Sequence, residues 1–169
     1  MVILRATQKL LKSIPRSLVK ESSSDTALGD WYVNRVVIDR QPLLLFVSSK
    51  SLLAMLTTAR NVKTIPGRLP SLIGDRLRRL GIEDDLVNSE LHVMQDVKVG
   101  PTQDRSVTGT MVDFAKALPY YLPIDGWSES DLQIIEDRLS ETPCRCGHSS
   151  KETIWPIDVT PRLLRERWQ

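Results

Sequence analysis

The fold is decided by residues 29–47, which read GDWYVNRVVIDRQPLLLFV. Residues 31–38 carry apolar side chains at both odd and even positions, which is typical of a strand that is buried on both faces. A short polar turn, Asp39-Arg40-Gln41, separates this strand from a second apolar run, Leu43 to Val47. Two such runs joined by a tight turn predict a β-hairpin at the centre of a sheet.

Further elements follow from hydrophobic spacing on either side of this hairpin. Short strands are predicted at residues 2–6 and 97–99, and helices at 69–80, 84–94, 106–118, 128–139 and 160–168. Ser48 suits an N-cap, and Leu52, Leu53 and Leu56 follow it at helical spacing, which predicts one more helix. Since strands and helices do not alternate regularly, the predicted class is α+β, a small mainly antiparallel sheet covered by several helices. We expect an α+β core domain at 1–120 and a helical C-terminal extension at 121–169 packing on it.

The composition is that of an ordinary globular chain. Of 169 residues, 41% are apolar and 26% charged, which excludes wholesale disorder and a coiled coil and fits one domain. The longest apolar run, Leu43 to Val47, is far shorter than the ~20 residues of a membrane span. Arg5, Lys9 and Lys12 interrupt the N-terminus, which therefore has no signal-peptide core. We expect a cytoplasmic protein.

Charge is distributed unevenly along the chain. Residues 1–80 carry 14 Lys and Arg against 5 Asp and Glu, and residues 81–169 carry 9 against 16. One interpretation is a nucleic-acid-binding or toxin–antitoxin type regulator that uses basic residues on the solvent side of the 69–80 helix. These basic residues are Lys63, Arg68, Arg76, Arg78 and Arg79. The alternative is that the two halves face each other and neutralise their charges within the fold.

Cys144, Cys146 and His148 form a C-x-C-x-H run, and thiolates with imidazole suit zinc. The run resembles the first half of the SEC-C type zinc motif, but the second ligand pair of that motif is absent. His92 is the only other histidine and is predicted to lie on a distant helix. The alternatives are therefore a zinc site completed through the fold and a plain exposed turn with reduced thiols. Beyond zinc we expect no cofactor.

Sequence signatures of catalysis are missing. The chain contains no G-x-S-x-G, no P-loop, no H-E-x-x-H and no G-x-G-x-x-G pattern. Asp30, Asp104 and Asp113 are carboxylates that a fold can gather around a metal, but Asp104 and Asp113 suit a helix cap and a surface position. We expect a protein without enzymatic activity.

Four segments carry a family resemblance. They are LRATQKLL at 4–11, GDWYVN at 29–34, PLLLFV at 42–47 and SVTGTMVDF at 106–114. Together they resemble the bacterial family catalogued as domain of unknown function 6933, over about the first 120 residues. The family pattern is G-D-W-Y-x-N, a hydrophobic hairpin, then G-S-M-N-D-F, where this chain has Thr110 for the serine and Val112 for the asparagine. The resemblance implies no established activity and no catalytic residue.

We therefore expect a binding or interaction module whose partner is another protein, with nucleic acid as the alternative. The predicted surface comprises Asp30, Trp31, Tyr32, Asn34, Arg105 and Asp113, because Trp and Tyr beside polar groups suit recognition. The competing interpretation makes Trp31 and Tyr32 core residues. Gly109 lowers helix propensity, so it serves either the close approach of a ligand or the packing of the helix on the sheet.

Overall fold

A mixed sheet runs through the middle of the computed structural model, which describes residues 1–21, 23–123, 125–145 and 152–169. Within these ranges five strands pair in the order β4-β3-β2-β1-β5. They are β1 (Val2–Ala6), β2 (Trp31–Ile38), β3 (Gln41–Ser48), β4 (Ala54–Thr58) and β5 (Val97–Pro101). β2, β3 and β4 form an antiparallel meander, and β1 lies parallel to both β2 and β5. The predicted α+β class and the predicted hairpin are confirmed.

Helices cover both faces of the sheet. They are α1 (Gln8–Leu11), α2 (Ile65–Arg79), α3 (Asp84–His92), α4 (Arg105–Tyr121), α5 (Glu129–Ser140) and α6 (Pro156–Trp168). A 3-10 turn at Val62–Thr64 precedes α2. Two short strands, β6 (Cys144–Arg145) and β7 (Thr153–Ile154), pair antiparallel apart from the main sheet. None of the helices in the described ranges is long and apolar enough to cross a membrane.

The sheet divides the core in two. Along β3, Leu44 and Phe46 belong to the core beneath α1, α2, α3 and α6, whereas Leu43, Leu45 and Val47 belong to the core beneath α4 and α5. This alternation follows from the two-residue period of a strand. The hairpin is therefore buried on both faces along residues 31–33 and 43–48, whereas Arg35 and Val37, near its turn, are exposed. Residues 121–169 contribute to both cores, through Leu132, Ile135 and Leu139 on one side and Leu164 on the other.

The helix predicted after Ser48 is wrong, because residues 54–58 form strand β4. Leu52 has a positive φ of 58°, which ends any helical path, and the Ser48 and Ser51 hydroxyls bond at 2.6 Å across a tight turn. Leu53 and Met55 then face one core and Ala54 and Leu56 the other, with the period of a strand. The leucine spacing fits both periods, so it does not distinguish them.

Three predicted helix boundaries also differ from the structure. α2 begins at Ile65 rather than near Leu69, and α6 begins at Pro156 rather than at Thr160. Pro66 and Pro156 lie in the first turns of their helices, where proline costs no hydrogen bond. α4 continues past Pro119 to Tyr121.

Candidate binding groove

The GDWYVN segment joins the start of strand β2 to neighbouring parts of the fold. Gly29 has a φ of +77°, and a Cβ there would lie 2.3 Å from the Ser49 hydroxyl. Asp30 accepts a hydrogen bond from Arg5 Nε at 2.8 Å and two from Ser24, through its backbone N–H at 2.8 Å and its hydroxyl at 2.7 Å. A buried ion pair therefore fastens the loop before β2 to strand β1.

The next residues of the segment are also structural in their contacts. Trp31 is 0% exposed and lies in the core under α2. Tyr32 is buried on the opposite face, and its hydroxyl accepts the Asp104 backbone N–H at 3.1 Å. Burial raises the pKa of Tyr32 above 10.0. Asn34 is half-buried and accepts the Thr7 hydroxyl at 3.1 Å. Asp30, Trp31 and Tyr32 are thus not exposed, and their burial agrees with the interpretation of the two aromatic residues as core.

Arg105 and Asp113, the other two residues of the predicted surface, lie together on a groove. The groove has a volume of about 470 Å³ and runs between α4 and the segment 142–145. Its α4 wall presents Arg105, Ser106, Gly109, Thr110, Asp113, Phe114 and Ala117, which recur at helical spacing. Its opposite wall is formed by Leu139, Thr142, Pro143, Cys144 and Arg145. The SVTGTMVDF segment therefore supplies most of one wall.

The charged side chains that line the groove do not form ion pairs within the described part of the chain. Arg105, Asp113 and Arg145 are exposed, and they form no ion pair with another described residue. Asp104 caps α4 by accepting the Ser106 backbone N–H at 2.8 Å. The groove thus combines two guanidinium groups and one carboxylate with an apolar floor at Phe114 and Leu139.

Gly109 lies in this groove with open space around it. A Cβ built there meets no heavy atom within 4 Å, so packing of α4 on the sheet does not require glycine. A glycine inside a helix costs about 1 kcal/mol relative to alanine. The geometry therefore does not support the packing interpretation of Gly109, and the close approach of a ligand stays a prediction.

The zinc prediction falls partly outside the described residues. Cys144 is buried and donates its thiol hydrogen to the Thr142 carbonyl at 3.3 Å, whereas Cys146 and His148 are not described. His92 ends α3, on the opposite side of the sheet from Cys144, so the fold does not bring it there as a fourth ligand. No group of three metal-binding side chains occurs among the residues described. Zinc binding through Cys144, Cys146 and His148 stays a prediction, which the metal content of the purified protein checks.

The predicted basic helix face is largely occupied by internal ion pairs. Arg76 was expected on the solvent side but is 0% exposed; its Nη1 donates to Asp137 at 2.9 Å. Arg79 pairs with Glu136 at 2.5 Å, and Arg78 with Asp75 and Asp84 at 3.8 and 3.4 Å. Within the described residues, Lys63 and Arg68 form no ion pair. Most of this basic group is thus neutralised by residues from the acidic half of the chain.

Two buried carboxylates were not singled out from the sequence. Glu90 accepts the backbone N–H groups of Ala27 and Leu28 at 2.8 and 3.1 Å and the indole N–H of Trp168 at 2.8 Å. Burial raises the pKa of Glu90 above 4.5, and these donors offset part of the rise. Glu136 accepts the Leu56 backbone N–H of β4 at 2.8 Å. Both lie on the apolar stripe of their helix, and that position was the available signal.

The fold and the groove define the class: a mixed-sheet α+β protein with helices on both sheet faces and a half-polar groove along one helix. The chain belongs to the family described as a domain of unknown function (DUF6933), whose model matches residues 3–159. The match therefore includes α5 and the beginning of α6, beyond the first 120 residues to which the resemblance was assigned. No curated protein matches the chain.

Proposed function

We propose that this protein is a non-enzymatic binding module that takes a segment of a partner protein in the groove between α4 and residues 142–145. The observation that carries the proposal is Gly109. It interrupts helix propensity where a side chain would touch nothing in the fold, and it lies on the wall of the groove. A ligand that packs directly against the helix backbone accounts for a glycine at this position, because a side chain there would block its close approach.

The chemistry of the groove indicates the kind of segment it favours. Phe114, Leu139 and Pro143 offer apolar area, and Ser106, Thr110 and Thr142 carry hydroxyl groups. Two arginines against one aspartate leave a net positive charge in the described lining. A short segment with an apolar centre and acidic flanks matches this arrangement, because rim charges set partner choice and association rate more than affinity.

The test is a titration of the protein with two blocked tetrapeptides, followed by amide chemical shifts. Both peptides have a Leu-Phe centre, and one is flanked by Glu and the other by Lys. We expect the acidic peptide to shift the amide signals of α4 and of residues 142–145. The basic peptide should bind about tenfold more weakly, which corresponds to a difference in binding free energy of ~1.4 kcal/mol.

A matched pair of variants separates groove binding from general effects. Gly109→Leu places a good helix former in the groove and is expected to abolish the shifts, while Gly67→Leu makes the same change in α2, where a Cβ also meets nothing within 4 Å. Both variants are expected to keep the circular dichroism of the parent. Equal binding by the parent and Gly109→Leu, or no shift in the groove with either peptide, contradicts the proposal.

A further inference from the structure

Strand β4 lies at the edge of the main sheet, and every second residue turns its backbone polar groups away from β3. The Ser48 N–H bonds the Leu53 carbonyl at 3.0 Å, and the Ala59 N–H bonds the Pro42 carbonyl at 3.1 Å. Hydrogen-bonded residues alternate along an antiparallel ladder. Residues 53, 55, 57 and 59 therefore pair with β3, and Ala54, Leu56 and Thr58 present their N–H and C=O groups to the outer edge.

The first part of this edge is closed by two buried side chains. Arg76 Nε of α2 donates to the Ala54 carbonyl at 3.3 Å, and Glu136 Oε1 of α5 accepts the Leu56 N–H at 2.8 Å. Arg76 and Glu136 also pair with each other, with Nε and Oε2 3.7 Å apart. One donor and one acceptor stand where an added strand would place an N–H and a C=O, so this part of the edge is satisfied without another strand.

The next part of the edge is open. The Leu56 carbonyl and the Thr58 N–H form no hydrogen bond with any described residue. Leu56, Thr57 and Thr58 line a cavity of about 390 Å³ between α2 and α5. Arg68, Leu72 and Asp75 line it from α2, and Glu129, Ser130 and Gln133 from α5. The unused acceptor and donor thus face a groove with helical walls.

We propose that this β4 groove is a second binding site, which takes an extended peptide segment of a partner protein by strand addition. The Leu56 carbonyl accepts an N–H of the peptide, and the Thr58 N–H donates to a peptide carbonyl, as in recognition at other open sheet edges. The Arg76–Glu136 pair fixes where the added strand ends. Recognition rests on the peptide main chain, and the α2 and α5 walls restrict its side chains.

The groove favours a flexible segment over a second copy of this chain. In a second copy, β4 lies between its own α2 and α5, which prevents two such edges from meeting. The opposite edge of the sheet, β5, is covered at Val99. The Ser17 N–H donates to the Val99 carbonyl at 3.1 Å, and the Ser17 hydroxyl accepts the Val99 N–H at 3.2 Å.

The test uses the blocked peptide acetyl-Thr-Val-Thr-Val-amide and the same peptide with N-methylated amides, which keeps the side chains but removes the donors. We expect the first peptide at millimolar concentration to shift the amide signals of residues 56–58 and the second to leave them unchanged. Thr58→Pro removes the outward N–H at an edge position that tolerates proline, and Thr58→Val keeps it. We expect Thr58→Pro to weaken binding at least about tenfold and Thr58→Val to leave it unchanged.

Three outcomes overturn the proposal. The first is equal binding of the N-methylated peptide, and the second is no shift at residues 56–58 with the unmodified peptide. The third is a concentration-dependent dimer in sedimentation that Thr58→Pro abolishes, because the occupant is then a second copy. Gly109→Leu is expected to leave this site intact, so its result is distinguishable from that of the α4 groove.

Discussion

Trp168 donates its indole N–H to the carboxylate of Glu90 at 2.8 Å, and this bond joins the last turn of α6 to α3. The same carboxylate accepts the backbone N–H groups of Ala27 and Leu28, just before β2. One buried acid thus connects three segments that are far apart in the chain. The C-terminal helix is therefore held by a polar contact as well as by the apolar contact of Leu164.

Replacement of this donor should loosen α6. Trp168→Phe keeps an aromatic ring but removes the hydrogen bond to a charged acceptor, so we expect the free energy of unfolding to fall by about 2 kcal/mol. Urea unfolding measures it. Trp155→Phe is the matched control, because Trp155 is 43% exposed, and we expect a change below about 0.5 kcal/mol. Equal effects of the two substitutions contradict this role of the indole N–H.

Glu90 should also make stability depend on pH. Its pKa is raised above 4.5 mainly by burial, so between 4.5 and the raised value the native state binds more protons than the unfolded state. The contribution of Glu90 to stability is therefore greatest below pH 4.5 and falls as pH rises through this window. We expect the advantage of the parent over Glu90→Gln in urea unfolding to shrink with rising pH.

The contribution of exposed Glu83 to stability should depend on pH in the opposite direction. Its own backbone N–H and Arg165 lower the pKa of Glu83 below 4.5, so its contribution is present above 4.5 and is lost as pH falls through the lowered value. For Glu90, the measured quantity is the difference in the free energy of unfolding between the parent and Glu90→Gln. A difference that does not change with pH, or that grows as pH rises, contradicts a raised pKa of Glu90.

The sequence predicts those parts of the fold in which the hydrophobic spacing fits only one type of secondary structure. In residues 31–47, both faces of two neighbouring strands are apolar, which no exposed helix matches. After Ser48, the spacing of Leu52, Leu53 and Leu56 suits a helix and a strand alike. The positive φ of Leu52 decides between them, and it depends on a turn closed against β3.

The candidate site is only half visible in the sequence for a similar reason. Arg105 and Asp113 occur in a recognisable segment, but the opposite wall at 142–145 reaches them only through the fold. Arg76 resembles an exposed arginine because its partners Glu136 and Asp137 are 60 and 61 positions further along the chain. Helical spacing specifies the face on which a residue lies but not what covers that face.

Two glycines inside helices should differ in how their replacement by alanine changes the free energy of unfolding. Gly109→Ala fills open space and should raise the free energy of unfolding by up to about 1 kcal/mol through helix propensity. Gly74→Ala gains the same propensity, but its Cβ would lie 2.8 Å from Leu91 Cδ1 and 3.2 Å from Arg78 Nη1. We therefore expect it to gain less or to lose stability. Thermal unfolding of both variants measures the difference, and an equal gain in both contradicts the packing described.

Two arginines of α2 that are two residues apart should differ in what their removal costs. Arg76 is 0% exposed and donates to the Ala54 and Glu136 carbonyls and to the Asp137 carboxylate. Arg76→Met fills similar space but leaves these acceptors unpaired and Glu136 as a buried charge without one of its two arginines. We expect the free energy of unfolding to fall by about 3–5 kcal/mol, as when one partner of a buried pair is removed.

Arg78→Met is the matched control, because Arg78 is 44% exposed and its shorter ion pair, at 3.4 Å, is longer than the 2.9 Å pair of Arg76 with Asp137. Water solvates its carboxylate partners after the substitution, so we expect a change below about 1 kcal/mol. Urea unfolding of both variants at low and high salt tests the distinction. Salt should reduce the small effect of Arg78→Met and leave the large effect of Arg76→Met nearly unchanged, since buried pairs are screened much less. A cost of Arg76→Met as small as that of Arg78→Met would show that the guanidinium does not hold the edge of β4.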